Sequence, residues 1–500
     1  MKLKKLIKDI PFSQVKGSKE IEITGISCHS KTVSPGSLFI AKKGKELDGC
    51  RFIDDAIACG AGAIVTDILN PFLKDVVQLI HPSPNDVAGL LAKAYYEDPS
   101  KDLYTIGITG TNGKTTLAYM IKELLDLSEQ PCGLIGTVEY ITGLNHYNAS
   151  LTTPDEIVLQ KYLKEMKLQS CQACVMEVSS HALDQDRVKD VDFDCAIFTN
   201  LSHDHLDYHE DMDDYFKAKK KLFEKLQAGD ATQKNTDRPV AVINYDDSYG
   251  KQLKSSFSFP ILTYGMSPEA DFVASDIKVT ASGSRFTLSF KGADVKVVTS
   301  LIGRFNISNL LALFAFAHAK GIDLEKVLKV AKAFKSTNGR LEKVSNQLKV
   351  KAFVDYAHTP HALENVLLGL KEICQGKLVV VFGCGGNRDK EKRSIMGAIA
   401  NEHSSHSIIT SDNPRGEEPL EIAEQVLSGV KNKENTSIIV DRREAIKQGL
   451  EKCTSKDDIL LIAGKGHETF QVFSHQTLNF DDRLILKEEA EKLATLTLKH

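Results

Sequence analysis

The chain predicts an α/β protein of three domains, and three observations carry that reading. Short apolar runs rich in β-branched residues alternate with helical stretches over most of its length, the pattern of a mostly parallel sheet covered on both faces. Two turn-rich breaks, Asp98-Pro-Ser100 and Asn338-Gly339-Arg340, divide the 500 residues into segments 1–102, 103–338 and 339–500, against a usual size of roughly 100–200 residues per domain. The middle segment opens with an apolar strand that runs straight into the glycine loop Gly110-Thr-Asn-Gly-Lys-Thr-Thr116 and on into helical periodicity.

Taken in order, the first segment mixes short apolar runs, Ile21–Ile26 and Leu38–Ala41, with the turn Ser34-Pro-Gly-Ser37. Ala56–Gly62 followed by Ala63-Ile-Val-Thr66 reads as a helix end feeding a buried strand, and the run to Tyr96 reads as helix. In the second segment Leu103–Ile108 is the strand before the loop, and Leu117–Leu127 is the helix after it. Further strands are expected at Ala173–Met176, Cys195–Phe198 and Val240–Ile243. From Phe272 to Leu301 the pattern becomes strict alternation, as in Phe286-Thr-Leu-Ser-Phe290, which predicts antiparallel strands. The third segment alternates again, with strands at Ala352–Val354, Leu378–Phe382, Ser407–Thr410, Ser437–Val440 and Ile459–Ala463, and reads as a smaller doubly wound, Rossmann-like domain.

Composition is that of an ordinary globular protein, 42% hydrophobic and 26% charged with a net charge of −4, which gives no basis for a nucleic-acid or membrane-surface partner. The lysines of the opening MKLKKLIKDIPFSQ are not followed by the apolar core of a secretory signal. Nor does any apolar run approach the roughly 20 residues of a transmembrane helix. The ten cysteines are scattered. The pair Cys171-Gln-Ala-Cys174 has no second pair or histidine spacing to complete a zinc site, so reduced thiols in a cytoplasmic protein are expected.

Gly110–Thr116 carries the first chemistry. Glycines let backbone amides close around phosphate oxygens, and the following helix N-terminus adds partial positive charge. Lys114 is placed to reach the β- and γ-phosphates of a nucleotide and the Thr115 hydroxyl to hold Mg²⁺; Gly110, Thr111, Asn112, Gly113 and Thr116 complete the phosphate-binding loop. The strict phosphate-loop pattern wants glycine five positions before Gly113, where this chain has Ile108 with Gly107 beside it. Such loops serve switches and motors as well as ligases, so other segments must decide between them.

Those segments are Met176-Glu-Val-Ser-Ser-His181, Thr199-Asn-Leu-Ser-His-Asp-His-Leu-Asp207, Phe305-Asn-Ile-Ser-Asn309, Gly339-Arg340 and Val354-Asp-Tyr-Ala-His-Thr-Pro360. Together with the loop, and in this order, they resemble the Mur ligase family over nearly the whole chain. The resemblance implies an N-terminal UDP-binding domain, a central ATPase domain and a C-terminal domain that binds an amino acid. It implies two Mg²⁺ ions, with Glu177 and Thr115 ligating the ATP-bound ion and His205 the second. Alone, His203 and His205 read as surface or structural histidines, and Tyr215-Phe-Lys-Ala-Lys-Lys-Lys-Leu-Phe223 reads as a basic helix face in water. Aligned through Tyr215 and Phe223, the family places a carbamylated lysine, an anionic metal ligand, at Lys219, or at Lys220 or Lys221 if the register slips. Asn306, Arg340, Asp355 and His358 are where the family contacts nucleotide.

Two stretches narrow the expected substrates. Met176–Arg187 resembles the branch of the family that adds the third residue of the peptide stem in cell-wall precursors. There Ser179, Gln185 and Arg187, with Thr152 and Thr153 upstream, hold a UDP-sugar dipeptide. Ser27-Cys-His-Ser-Lys31 resembles the uridine-binding segment, with Cys28-His29 departing from the usual residues and Ser30 as the expected contact. The second stretch is Asp412-Asn-Pro-Arg415, whose arginine goes in the family with meso-2,6-diaminopimelate. A guanidinium grips a carboxylate as a fork, and lysine, the alternative amino acid, has no distal carboxylate. Arg388 would take a second carboxylate, and Glu468 an amino group, with Asn413 and Gly464 lining the same place.

The expected reaction is ATP-dependent addition of meso-diaminopimelate to UDP-N-acetylmuramoyl-L-alanyl-D-glutamate through an acyl phosphate, in a monomeric cytoplasmic enzyme. A nucleotide switch protein is the rival from another class. It would want a guanine-reading Asn-Lys-x-Asp segment, and the nearest string, Asn432-Lys-Glu-Asn435, lacks the aspartate.

Overall fold

A computed structural model describes residues 1–44, 47–228 and 239–497. It divides into two compact units, one of Met1–Thr109, Glu129–Ala196 and Ala218–Val240, the other of Gly110–Ser128, Ile197–Lys217 and Ala241–His500. Helices and mostly parallel strands fill both, as the α/β expectation requires.

In the first unit the N-terminal residues form a five-stranded sheet in the order Gln14–Lys16, Val77–Ile80, Ala63–Thr66, Leu38–Ile40, Ile26–Ser27. Gln14–Lys16 runs antiparallel at one edge and the others pair in parallel. Successive strand residues point to opposite faces, and the sequence supplies apolar groups to both. Leu38, Ile40, Ala63 and Val65 meet Val87, Ala88 and Leu91 of the helix Pro84–Tyr95, whereas Phe39 and Ile64 pack with Ala56 on the other side. Truncating a side chain as buried as Leu91 to alanine costs about 2–5 kcal/mol.

A second sheet region of this unit holds Ala173–Glu177 between two parallel neighbours, Tyr104–Thr109 and Cys132–Ile135. Two short antiparallel strands, Glu139–Ile141 and His146–Asn148, extend it. Gly107 belongs to the strand and not to the phosphate loop. A Cβ there would come within 2.9 Å of the Phe193 ring and 3.0 Å of Leu222, so it is a packing glycine of the strand. Glu177 ends its strand opposite Ile108.

In the second unit Val240–Asn244, Ile261–Gly265 and the start of Phe272–Thr280 pair in parallel. Phe272–Thr280, Gly283–Phe290 and Ala293–Thr299 then form the antiparallel ribbon that the alternating pattern predicted. The helix Lys114–Leu127 packs on Arg304–Lys320, which is buried almost all round its middle, from Leu310 to Ala317.

The C-terminal sheet of this unit runs Glu342–Val344, Lys351–Asp355, Ile459–Ala463, Leu378–Phe382, His406–Ile409, Thr436–Ile438. All but the first strand are parallel. Phe353, Val380, Phe382 and Leu461 enter one core, and Val354, Val379, Val381 and Leu460 the other. From Leu378–Phe382 the chain steps outward to one edge and then returns to the other side of that strand with Ile459–Ala463. Ligands of such sheets bind outside the carboxyl ends of the strands where the direction reverses. Here those ends release Gly383–Asp389 and Gly464–Glu468.

Candidate active site

In the first unit, six of the expected residues are joined by one hydrogen-bonded network around Glu177. The carboxylate is fully buried and accepts from Thr137, N–H to Oε1 at 2.9 Å and hydroxyl to Oε2 at 3.0 Å. Thr137 Oγ1 lies 3.1 Å from Thr152 Oγ1, and the Thr153 hydroxyl donates to the Glu177 carbonyl at 2.8 Å. Thr153 Oγ1 also receives the Ser179 N–H at 3.1 Å. Ser179 in turn caps the helix Ser180–Asp184 by accepting from Ala182 N, satisfying one of the donors a helix start leaves open. Arg187 donates to the Thr153 carbonyl at 2.8 Å and holds Gln185 Oε1 through Nε and Nη2. An oriented carboxylate of this kind is the hard oxygen donor that Mg²⁺ takes. Thr137 escaped the sequence reading, because a lone threonine beside the apolar run Leu134-Ile135 carries no pattern.

Ser30 lies elsewhere in this unit, at the start of the 3-10 turn Ser30–Thr32 beyond the edge strand of the N-terminal sheet. Ser27 ties that turn together through Thr32 Oγ1 at 2.7 Å and the His29 carbonyl at 2.8 Å. Burial, with Asp155 adding to it, pushes the Cys28 thiol up to about 12, so this cysteine behaves as a small apolar group. The helix Met212–Ala228 resolves the lysine run: Lys219 is 1% exposed, whereas Lys220 and Lys221 are half-buried and Lys217 is exposed. Lys221 pairs instead with Asp184 at 3.4 Å.

In the second unit the phosphate loop is held by its backbone. Thr111 N–H donates to the Asn200 carbonyl at 2.8 Å, and Asn112 N–H to Asn200 Oδ1 at 2.9 Å. The Thr199 hydroxyl closes on the Asn112 carbonyl at 2.6 Å. Gly113 has φ +88° and packs where a Cβ would lie 2.5 Å from Asn309 Oδ1; any side chain would both strain the backbone and displace the asparagine. Lys114 Nζ rests on the carbonyls of Gly110 and Thr111, 2.8 Å from each. Asn306, in contact with Asn309, is anchored to the Ile302 carbonyl at 2.9 Å.

Arg340 reaches this loop from the third sequence segment. Its Nη2 donates to Thr115 Oγ1 at 3.0 Å, and the guanidinium lies over the Tyr356 ring at 4.5 Å. Asp355 receives Leu341 N–H at 2.6 Å and Ala357 N–H at 2.7 Å. Burial nevertheless outweighs Arg340 and these bonds and pushes its carboxyl up to about 6. His358 donates through Nδ1 to the Tyr356 carbonyl at 2.7 Å, and burial lowers it to about 4, so its other nitrogen is an acceptor at neutral pH.

His205 adopts φ +58°, a left-handed conformation uncommon outside glycine. Asp204 holds it there by accepting its N–H at 3.0 Å and approaching its ring Nε2 at 3.3 Å. Burial alone would raise Asp204, but the positive groups around it, His205 foremost with Lys392 and Lys114 contributing, hold it down at about 2. His203 faces Asp389 instead, at 3.0 Å. Among the described residues no three His, Cys, Asp or Glu side chains gather as a metal cluster.

The residues expected to read the amino acid gather at the reversal point of the C-terminal sheet. Arg415 donates to the carbonyls of Gly386 at 2.9 Å and Asn413 at 3.3 Å. Gly385 is pressed against it, since a Cβ there would lie 2.8 Å from Arg415 Nη1 and 3.8 Å from Arg388 Cγ. Burial, and then the like charge of Arg388, press Arg415 below the ordinary guanidinium range. Two arginine side chains bordering one place suit it to carboxylates. Across from them Glu468 accepts from Asn413 Nδ2 at 2.8 Å and from the fully buried Lys465 at 3.0 Å. Gly464, at φ +114°, leaves room for Asp412, whose Oδ2 would lie 2.5 Å from a Cβ.

Three family descriptions match this chain: Mur ligase family, catalytic domain, over residues 22–96; Mur ligase middle domain over residues 108–317; and Mur ligase, glutamate ligase domain, over residues 339–466. A curated relative from Chlamydia felis, named UDP-N-acetylmuramoyl-L-alanyl-D-glutamate–2,6-diaminopimelate ligase, is 42% identical over 494 residues, covering 98% of this chain and 99% of its own. A relative of the same name from Clostridioides difficile is 39% identical over 497 residues, covering 99% and 100%. A solved structure of a ligase of that name shares 31% identity at a TM-score of 0.68, covering 99% of both chains. A MurF ligase from Acinetobacter baumannii, 18% identical with a TM-score of 0.69 over 98% of each chain, shares the fold. With its full length aligned to such relatives, the chain belongs to the Mur ligase family.

Proposed function

We propose that this ATP-dependent ligase joins meso-2,6-diaminopimelate to UDP-N-acetylmuramoyl-L-alanyl-D-glutamate in peptidoglycan precursor synthesis. ATP transfers its γ-phosphoryl group to the γ-carboxylate of D-glutamate, giving ADP and an acyl phosphate. An amine of diaminopimelate attacks the acyl carbon, and the tetrahedral intermediate expels phosphate and loses a proton to leave the amide. The observation that carries the amino-acid choice is the convergence of Arg415 Nη1 and the Arg388 side chain on Gly385, two cations where a substrate with a single carboxylate would need one.

On this reading Gly110–Thr116 cradles the phosphates and Lys114 leaves its two carbonyl partners to neutralise the transferring group. Asn306, Arg340, Asp355 and His358 face the nucleotide. Thr152, Thr153, Ser179, Gln185 and Arg187 hold the sugar dipeptide, and Ser30 the uridine end. Asp412, Asn413, Gly464 and Glu468 receive the amino acid beside the two arginines. Thr115, Glu177, His205 and a carbamylated Lys219 would hold two Mg²⁺ ions, which supply charge neutralisation when bound. The burial of Lys219 supports that register over Lys220 and Lys221, which are only half-buried. Domain limits of 1–102, 103–338 and 339–500, a monomeric state and a cytoplasmic location complete the proposal. Among the described residues no helix is long and apolar enough to cross a membrane.

The test is phosphate release with ATP and UDP-N-acetylmuramoyl-L-alanyl-D-glutamate, supplied with either diaminopimelate or L-lysine. Turnover with diaminopimelate alone is expected. Turnover with lysine alone would move the chain to the lysine-adding reaction, and no amino-acid-dependent release would remove the ligase assignment.

A further inference from the structure

The two arginines proposed to face the amino acid stand on separate loops, and the Arg415 bond to the Gly386 carbonyl is one tie between those loops. Arg393 and Glu417 lie behind them. Arg393, on the first turn of the helix Glu391–His403, is fully buried. It donates to both Glu417 oxygens, Nη1 to Oε2 at 2.9 Å and Nη2 to Oε1 at 3.0 Å. The same guanidinium reaches Gln425 Oε1 at 2.7 Å and the Gly385 carbonyl at 3.1 Å.

Glu417 completes the tie from the other loop. Its Oε1 accepts the Asn387 N–H at 2.6 Å, while Asn387 Oδ1 accepts the Gly416 N–H at 3.1 Å. Gly386 N–H adds a bond to the Asn413 carbonyl at 2.9 Å. The loop of Arg388 and the loop of Arg415 are therefore stitched together by one bidentate ion pair and the backbone bonds it organises. Planar, charge-assisted pairs of this kind fix geometry as well as sign. The helices behind them are equally constrained: a Cβ on Gly397 would lie 2.0 Å from the Val426 carbonyl oxygen, so neither can shift to compensate.

We propose that Arg393 and Glu417 are positioning residues that set the spacing of Arg388 and Arg415, and with it the selectivity for an amino acid carrying a distal carboxylate. This rests on the diaminopimelate reading above. Neither residue needs to touch substrate; their effect passes through Gly385, Asn387 and Gly416.

The experiment is steady-state kinetics of Glu417→Gln, varying ATP, UDP-sugar dipeptide and diaminopimelate in turn, with L-lysine as the competing amino acid. The expected result is a rise of about tenfold or more in the diaminopimelate KM, with the other two KM values within twofold. The preference for diaminopimelate over lysine should narrow accordingly. A diaminopimelate KM within twofold of the parent would overturn the proposal, and so would an equal rise in all three KM values, the mark of a purely structural role. If Glu417→Gln does not fold, Arg393→Lys replaces it under the same two criteria, because it keeps the charge while losing the fork. Absence of diaminopimelate turnover in the unmutated enzyme would count against the functional reading itself, an outcome distinct from either result with the variants.

Discussion

Around Gly110–Thr116 the groups that are held in place are backbone amides and carbonyls, tied to Asn200 and Thr199, and the loop's own charged residue, Lys114, leans on its carbonyls. Around Arg388 and Arg415 the materials are reversed: on the proposed function guanidiniums and carboxylates do the recognising, and the Arg393–Glu417 ion pair holds the loops that carry them. Phosphate is bulky, always charged and common to every substrate of this kind, so a backbone cradle suits it. An amino acid must be told from its relatives, and that takes side chains whose directions are fixed from behind. The first kind of site announces itself in glycines. The second is spread over residues far apart in the chain.

The largest expected effect is on the backbone-built side. Lys114→Met removes the loop's mobile cation while leaving the amides, and kcat should fall by on the order of 10³-fold, measured as phosphate release, with thermal stability kept. A loss of only a few-fold would mean that the amides suffice and that the contrast between the two sites is overdrawn.

Next comes the scaffold of the amino-acid pocket. Arg442 and Asp482 form a fully buried pair, 2.8 and 2.7 Å through two nitrogens, and Arg442 also donates to the carbonyls of Ser411 and Ala463. These carbonyls precede Asp412 and Gly464 directly. Asp482→Asn leaves a buried guanidinium uncompensated and should cost about 3–5 kcal/mol in denaturant unfolding; a cost below about 1 kcal/mol would show the pair to be dispensable.

A smaller effect is expected at Thr137, which gives Glu177 one hydroxyl and one amide bond. Thr137→Val keeps the amide and loses the hydroxyl, about 1–3 kcal/mol for a buried carboxylate left short of a donor. Enzyme rates should drop about tenfold or more, with recovery in Thr137→Ser.

The smallest is a pH dependence at Glu417, whose hydrogen bonds from Arg393 hold it down at about 2, against an ordinary value of 4.5. A carboxyl lowered in the folded state stabilises it above the unfolded value, and that contribution is lost as pH falls from about 4.5 toward 2. The stability gap between the parent and Glu417→Gln should therefore be full at pH 6 and narrow below pH 4.5. A gap that widens on acidification would reverse the sign.

Much of this was readable before any coordinates. The strand, loop and helix around Gly110 follow from a β-branched run meeting glycines, and the ribbon from 272 to 299 from strict alternation. The five parallel C-terminal strands stood out because buried strands are apolar on both faces. Short edge strands such as Gln14–Lys16 and His146–Asn148 did not, since their polar residues look like loop. The site divides in the same way. Lys219 sits in a run that any solvated helix could carry, and only packing separates its 1% exposure from the open Lys217. Arg393 with Glu417, and Arg442 with Asp482, carry no signal in sequence, because a partner 24 or 40 residues away leaves no periodic trace.

The central claim is that Arg415 reads a carboxylate of the incoming amino acid, and Arg415→Ala tests it most directly. The diaminopimelate KM should rise by about 100-fold, in line with a charged hydrogen-bond pair worth about 3 kcal/mol, while the KM for UDP-N-acetylmuramoyl-L-alanyl-D-glutamate stays within twofold. An unchanged diaminopimelate KM in a folded variant would contradict the account.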